Sequence, residues 1–248
     1  MRRRLRKLAI GLVAGVALAL ILGVASLEIG YQVLLPYPLP ERVLTPLRPQ
    51  VRSALWLDAC STLPARQSFA YPFLASALLA RERYAFYLPG HVARLHIASL
   101  QEQGLANREP HLRATLRELA LATWIARHWT VEETLDAYGA WVYMGDGECG
   151  LANAARHYLD RDLADVSPAE LALLAAILRS PGALHPACHA DRALAARNEM
   201  LDRMEGAGVI ERSVALQSRN SPLGTSVECT RRGANEGVGQ QGHECVSP

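Results

Sequence analysis

The sequence predicts an all-α domain carried behind a single N-terminal membrane helix. Three observations support this. Residues 66–212 are dominated by apolar residues at helical spacing. Strong helix start signals recur among them. No alternating β-branched stretch is long enough for a confident strand. The membrane helix is read from the longest apolar run, LAIGLVAGVALALILGVASL, which spans residues 8–27 without charge or proline.

Taken as a helix, that run is about 30 Å long, which matches the apolar thickness of a bilayer. Residues 1–7 hold five basic groups and no acid. The positive-inside rule therefore places them in the cytoplasm and the rest of the chain outside. A cleaved signal peptide is the alternative, since Gly23, Val24, Ala25 and Ser26 are small residues a peptidase could accept. The length of the run favours a retained anchor. The formal net charge is +2, but the remaining 241 residues carry 21 basic and 24 acidic groups. This balance argues against a nucleic-acid partner.

Residues 28–65 read as an irregular juxtamembrane linker, because prolines at 36, 38, 40, 46 and 49 interrupt helices. Tyr31, Tyr37 and Trp56 suit a membrane interface, although a plain linker is an equal alternative. Leu112 to Trp129 reads as a helix, with Leu112, Leu116, Leu119 and Thr123 on one face and Leu121 and Ile125 extending the apolar surface. Thr130 with Glu133 forms a capping box that opens a helix to about Tyr143. A glycine-rich turn follows at Gly145, Gly147 and Gly150, then a short helix to about Leu159. Ser167, Pro168 and Glu170 give a cap, an N1 proline and an N3 glutamate. The helix they open ends at Ser180-Pro181-Gly182, and another spans about Asp191 to Glu205. From Ser213 the chain turns polar and glycine-rich, which predicts a disordered tail over 213–248.

Five cysteines (60, 149, 188, 229 and 245) include no C-x-x-C pair, so no zinc motif is expected. One or two disulfides fit an extracytoplasmic domain, and unpaired thiols are the alternative. The histidines lack a ligand pattern. His185 and His189 have i,i+4 spacing, but Pro186 and Pro181-Gly182 argue for a loop, so no metal site is expected there.

Residues 127–204 carry a resemblance. Tyr138, Tyr143 with Gly145, Gly150, Ala154-Ala155, Tyr158, Leu163, the stretch from Ser167 to Ala175, Ser180-Pro181, Pro186, Arg197 and Met204 follow in order. This pattern resembles the C-terminal half of the peptidoglycan glycosyltransferase domain (glycosyltransferase family 51). That domain occurs in bifunctional penicillin-binding proteins and in membrane-anchored monofunctional transglycosylases. The resemblance implies a lysozyme-like helical fold. It also implies an enzyme of the inner membrane with its main domain periplasmic or extracellular. Its substrate would be lipid-linked disaccharide-peptide units, and other cell-wall synthesis proteins would be candidate partners.

The catalytic half matches less well. Glu82 and Phe86 fit the first family motif, but Arg83 stands where the family has Asp and Pro89 where it has His. The second motif keeps only Gln103 and Asn107, and its spacing from the first is short, as though a loop were lost. In the third motif Glu118 matches. Arg113 and Arg117 lie near the position of the family's cationic pair. Gly139-Ala140 replaces the Leu-Asn that follows Tyr138. By resemblance Glu82 is the general base for a sugar hydroxyl. Glu118 is the second catalytic carboxylate, and it would orient the cations or a divalent ion such as Mg or Mn. Arg113 and Arg117 would stabilise the departing pyrophosphate. Gln103 and Asn107 would bind substrate. The eroded motifs also suit a non-catalytic relative that binds precursor or a synthase. A glycan-cleaving, lysozyme-like enzyme is a third alternative, by fold analogy alone.

Overall fold

The structure is a computed structural model and describes residues 2–59 and 83–229. Helix α1 covers Arg2–Leu34, about 50 Å at 1.5 Å per residue. Its stretch Ala14–Leu34 is long and apolar enough to cross a membrane, with mean hydropathy 1.8 and none of it buried within the fold. Then follow α2 (Pro49–Ala59), α3 (Arg83–Glu102), α4 (His111–His128) and α5 (Val131–Trp141). Strands β1 (Tyr143–Gly145) and β2 (Glu148–Cys149) form a small hairpin. Helices α6 (Leu151–Leu159), α7 (Pro168–Leu178), α8 (Ala190–Gly206) and α9 (Arg212–Arg219) complete the described chain.

The core is built around α7. Every residue from Leu171 to Ile177 is buried. A helix apolar on all sides cannot lie at a surface, so its neighbours must surround it. Helices α2, α6, α8 and α9 pack against it. Both expected capping boxes are present: the Thr130 and Ser167 side chains accept from the N–H groups of Glu133 and Glu170, whose carboxylates return the bond. At the hairpin, Asp146 and Gly147 have φ of 54° and 87°. A two-residue turn with both φ positive is type I′, which matches the twist of paired strands. Gly150 has φ of 82°, and a Cβ there would lie 2.4 Å from the Ala140 carbonyl oxygen, so glycine is required.

Three expectations are corrected. The first concerns the juxtamembrane stretch, which is not wholly irregular. Pro49 opens α2 at a position where a missing N–H costs nothing, and Val51, Ala54, Leu55, Trp56 and Leu57 enter the core. Trp56 is thus a core residue and does not face a membrane interface, whereas Tyr37 is 89% exposed. The second concerns α4, whose first half is open: Leu112 is 72% exposed and Leu116 39%. The continuous burial begins only at Ala120.

The third concerns the tail, whose first part is ordered. Residues 212–219 form α9, and Cys229 is joined to Cys188. Buried Arg197 donates to the carbonyls of Arg219 (3.0 Å) and Ser221 (2.7 Å). A charge so placed needs such partners, because an unpaired buried cation is costly. Cys149 is disulfide-bonded as well.

Candidate functional site

Of the sequence-designated residues, Gln103, Asn107, Arg113, Arg117 and Glu118 are described and lie on α4 or on the turn that joins it to α3, two helices that pack side by side. Arg94, midway along α3, faces Glu118 on α4. It donates through Nη2 to Oε1 at 2.8 Å and through Nε to Oε2 at 3.3 Å. This two-point fork fixes the carboxylate plane as well as its position. His91, one turn before Arg94, lies within electrostatic reach of both groups. Burial pushes its imidazole pKa down, Arg94 lowers it further, and Glu118 opposes them. The His91 ring sits 6.0 Å from that of Tyr138 on α5. Glu118, Arg94, His91 and Tyr138 therefore draw three helices into one polar group. The helix face shared by Leu121 and Ile125, both fully buried, carries Glu118 at its edge, where Arg94 meets it.

Arg113 and Arg117 converge elsewhere. Both donate to Oε1 of Glu109 at 3.1 Å, Arg113 through Nε and Arg117 through Nη2. The pairing of Glu118 with these arginines is therefore corrected: its partner is Arg94. The Nε of Arg117 is buried without a hydrogen-bond partner among the described residues. Gln103 and Asn107 are exposed at the turn between α3 and α4. Glu82 lies outside the described residues.

A second constellation was not foreseen. Asp146, in the hairpin turn, meets His157 of α6 and His185 of the loop after α7. The Nε2 atoms of these histidines lie 3.0 and 2.8 Å from Asp146 Oδ2. His185 Nδ1 accepts from the N–H groups of Ala187 and Cys188, so its Nε2 carries the proton that Asp146 receives. Burial pushes the Asp146 carboxyl up, but hydrogen bonds from His185 and His157 outweigh it and hold the pKa below its usual value. The available signal was Asp146-Gly147 itself, since Asp-Gly marks a type I′ turn. This group binds β1, α6 and the loop at 181–189 together.

Among the described residues, no group of three or more His, Cys, Asp or Glu is placed to hold a metal. Glu109 and Glu118 are each committed to arginines. The described residues do not by themselves fit the divalent cation that the resemblance implies.

A helical domain with an ion-paired carboxylate on an α3–α4 hairpin is the class this geometry defines. The family described as Transglycosylase matches residues 97–205. Penicillin-binding protein 1A of Rickettsia felis is 30% identical over 119 residues, 48% of this chain and 15% of that protein. Its counterpart in Mycobacterium tuberculosis is 38% identical over 88 residues, 36% of this chain and 11% of that protein. The solved penicillin-binding protein 1A of Haemophilus influenzae covers 60% of this chain and 17% of its own, at 18% identity and a TM-score of 0.35. The chain thus matches less than a fifth of the length of these relatives. Residues 97–205 are thus similar to a transglycosylase domain of the peptidoglycan glycosyltransferase type. The matched segment begins within α3, beyond Glu82, and contains Gln103, Asn107, Arg113, Arg117 and Glu118.

Proposed function

We propose that the chain is a membrane-anchored peptidoglycan glycosyltransferase with divergent catalytic motifs, working outside the cytoplasmic membrane on lipid-linked disaccharide-peptide units. The observation that carries this is the family match over 97–205, which includes Glu118 held in the Arg94 fork. In the reaction, the 4-hydroxyl of one sugar forms a bond to the anomeric carbon of another. The bond from that carbon to the pyrophosphate oxygen breaks, and the lipid pyrophosphate leaves with its electron pair. The hydroxyl proton passes to a carboxylate, a role the resemblance gives to Glu82. By the resemblance, Arg113 and Arg117 would meet the pyrophosphate charge. Arg94 orients Glu118.

One observation favours a second reading, a non-catalytic relative that binds the precursor. Glu109 already neutralises both arginines, which weakens their pull on a leaving group. Purified full-length protein with lipid-linked precursor separates the two. Glycan polymer from the parent protein, lost in Glu118→Gln, supports the enzyme. Precursor binding without polymer establishes the second reading.

A further inference from the structure

The segment joining the membrane helix to the domain is fastened along its whole length. On α1, Glu28 accepts from Arg127 Nη1 at 3.0 and 3.2 Å. The Arg127 guanidinium also lies over the Tyr31 ring, 4.7 Å from its centroid. Past the end of α1, the Pro38 carbonyl lies 2.9 Å from His96 Nε2 of α3. Arg42 donates to the His128 carbonyl at 2.9 Å and pairs with Glu133 at 3.0 Å. The Leu47 N–H donates to Asp136 of α5 at 3.0 Å, and Arg52 donates to both oxygens of that carboxylate. From Glu28 to Arg52 few residues pass between one fastening and the next.

Gly139 of α5 lies directly under this strap. A Cβ there would lie 2.7 Å from Leu47 Cδ1 and 3.0 Å from Leu55 Cδ1.

Arg127 and Glu118 share α4. Nine residues separate them, about 14 Å of helix rise, and they lie on opposite sides of its cylinder. One side of α4 grips the anchor and the other presents Glu118 to Arg94. An intact helix transmits position between the two without a hinge.

We propose that Glu28, Tyr31 and Arg127 form a positioning clasp that fixes the height of Glu118 above the bilayer, so that the site meets the pyrophosphate of a membrane-held substrate. This rests on the transferase reading above and goes beyond it: the anchor is a part of the site's geometry, where a flexible tether would only raise local concentration. Arg127 suits the level of the lipid headgroups, with its stem against the helix and its charge at the interface. Tyr31 is a residue type favoured at that level.

The test uses full-length protein in lipid bilayers with two substrates, the long-chain membrane-held precursor and a short-chain water-soluble analogue. Arg127→Glu and Glu28→Arg are made singly and together. Each single variant is expected to lose roughly tenfold in turnover of the membrane-held precursor, since small misplacements cost this much or more. Turnover of the soluble analogue stays unchanged, and the double variant recovers. Equal loss on both substrates, or no loss on either, overturns the clasp. Energy transfer from a dye at exposed position 194 to acceptor headgroup lipids reports height without any turnover. The single variants should broaden that distance distribution and the double variant should restore it. An unchanged distribution overturns the clasp. If the parent protein forms no polymer from either substrate, the transferase reading fails, and the height measurement still decides whether the clasp exists.

Discussion

Helices α4 and α7 lie in the same domain and use their residues differently. From Leu171 to Ile177, α7 buries every side chain. From His111 to Leu119, α4 buries none, and its polar residues are held in ion pairs with Arg94 and Glu109. The contrast teaches that the packed half can be preserved by volume alone, while the α3–α4 half depends on the placement of individual charges. The family resemblance is correspondingly dense over 127–204 and sparse before it. Substitution of a core residue should therefore cost stability, and substitution on the α3–α4 face should cost activity.

The sharpest test is Glu118→Gln. Activity on lipid-linked precursor should fall by about a hundredfold or more, the scale of losing a positioned carboxylate. The melting temperature should barely move, because the ion pair is partly exposed and such pairs contribute little to stability. A loss of folding with Glu118→Gln would erase the distinction between the halves. Leu174→Ala is the converse. A fully buried leucine truncated to alanine costs about 2–5 kcal/mol, readable by denaturant unfolding. Specific activity of the fraction that remains folded should be nearly unchanged.

What could be read from sequence follows the same division. Helix starts at Thr130 and Ser167 were legible because a cap is a local device: its donors and acceptors lie within four residues. The order of α7 and α8 was legible from periodicity and stop signals. The partner of Glu118 was not, since Arg94 is 24 positions away and nothing local favours it over Arg113 or Arg117. Nor was α2, because five prolines in the stretch masked the one that begins a helix. The Asp146 group was missed for the same reason: His157 and His185 mean little until the fold closes on the turn. The ordered part of the tail depends on Arg197 and Cys188, which lie well upstream of α9.

Two carboxylates sharpen the comparison by titration. Burial lifts the Asp58 carboxyl to about 6, against the charges of Arg179 and Arg203. The folded state then holds a proton that the unfolded chain has released between an ordinary value of about 4 and this one. Across that window, stability from Asp58 declines as pH rises. Asp146 has the opposite sign, because its folded value is depressed. Its contribution is fully present above an ordinary carboxylate pKa of about 4 and is lost as pH falls through the lower folded value. Unfolding free energy measured against pH should lose the first slope in Asp58→Asn and the second in Asp146→Asn. Slopes unchanged by either substitution would detach these residues from the acid response.

The smallest effect expected is at the boundary between the two halves. Thr130 caps α5 immediately after α4 ends, and its hydroxyl accepts the Glu133 N–H at 3.1 Å. Glu133 returns the bond to the Thr130 N–H at 2.7 Å and also holds Arg42 of the strap. Thr130→Ala should cost about 1 kcal/mol, the usual value of a lost N-cap. Ser167→Ala at the start of α7 should cost a similar amount, since its capping box has the same form. The two variants differ in what else they disturb. Glu133 bridges to the strap, whereas Glu170 pairs with Arg161, next to α6. Loss of the Thr130 cap should therefore loosen residues near Arg42 as well as the first turn of α5. Amide exchange should show faster protons near residue 42 in Thr130→Ala and not in Ser167→Ala. Exchange that is equal in both would mean that the cap and the strap are independent despite sharing a carboxylate.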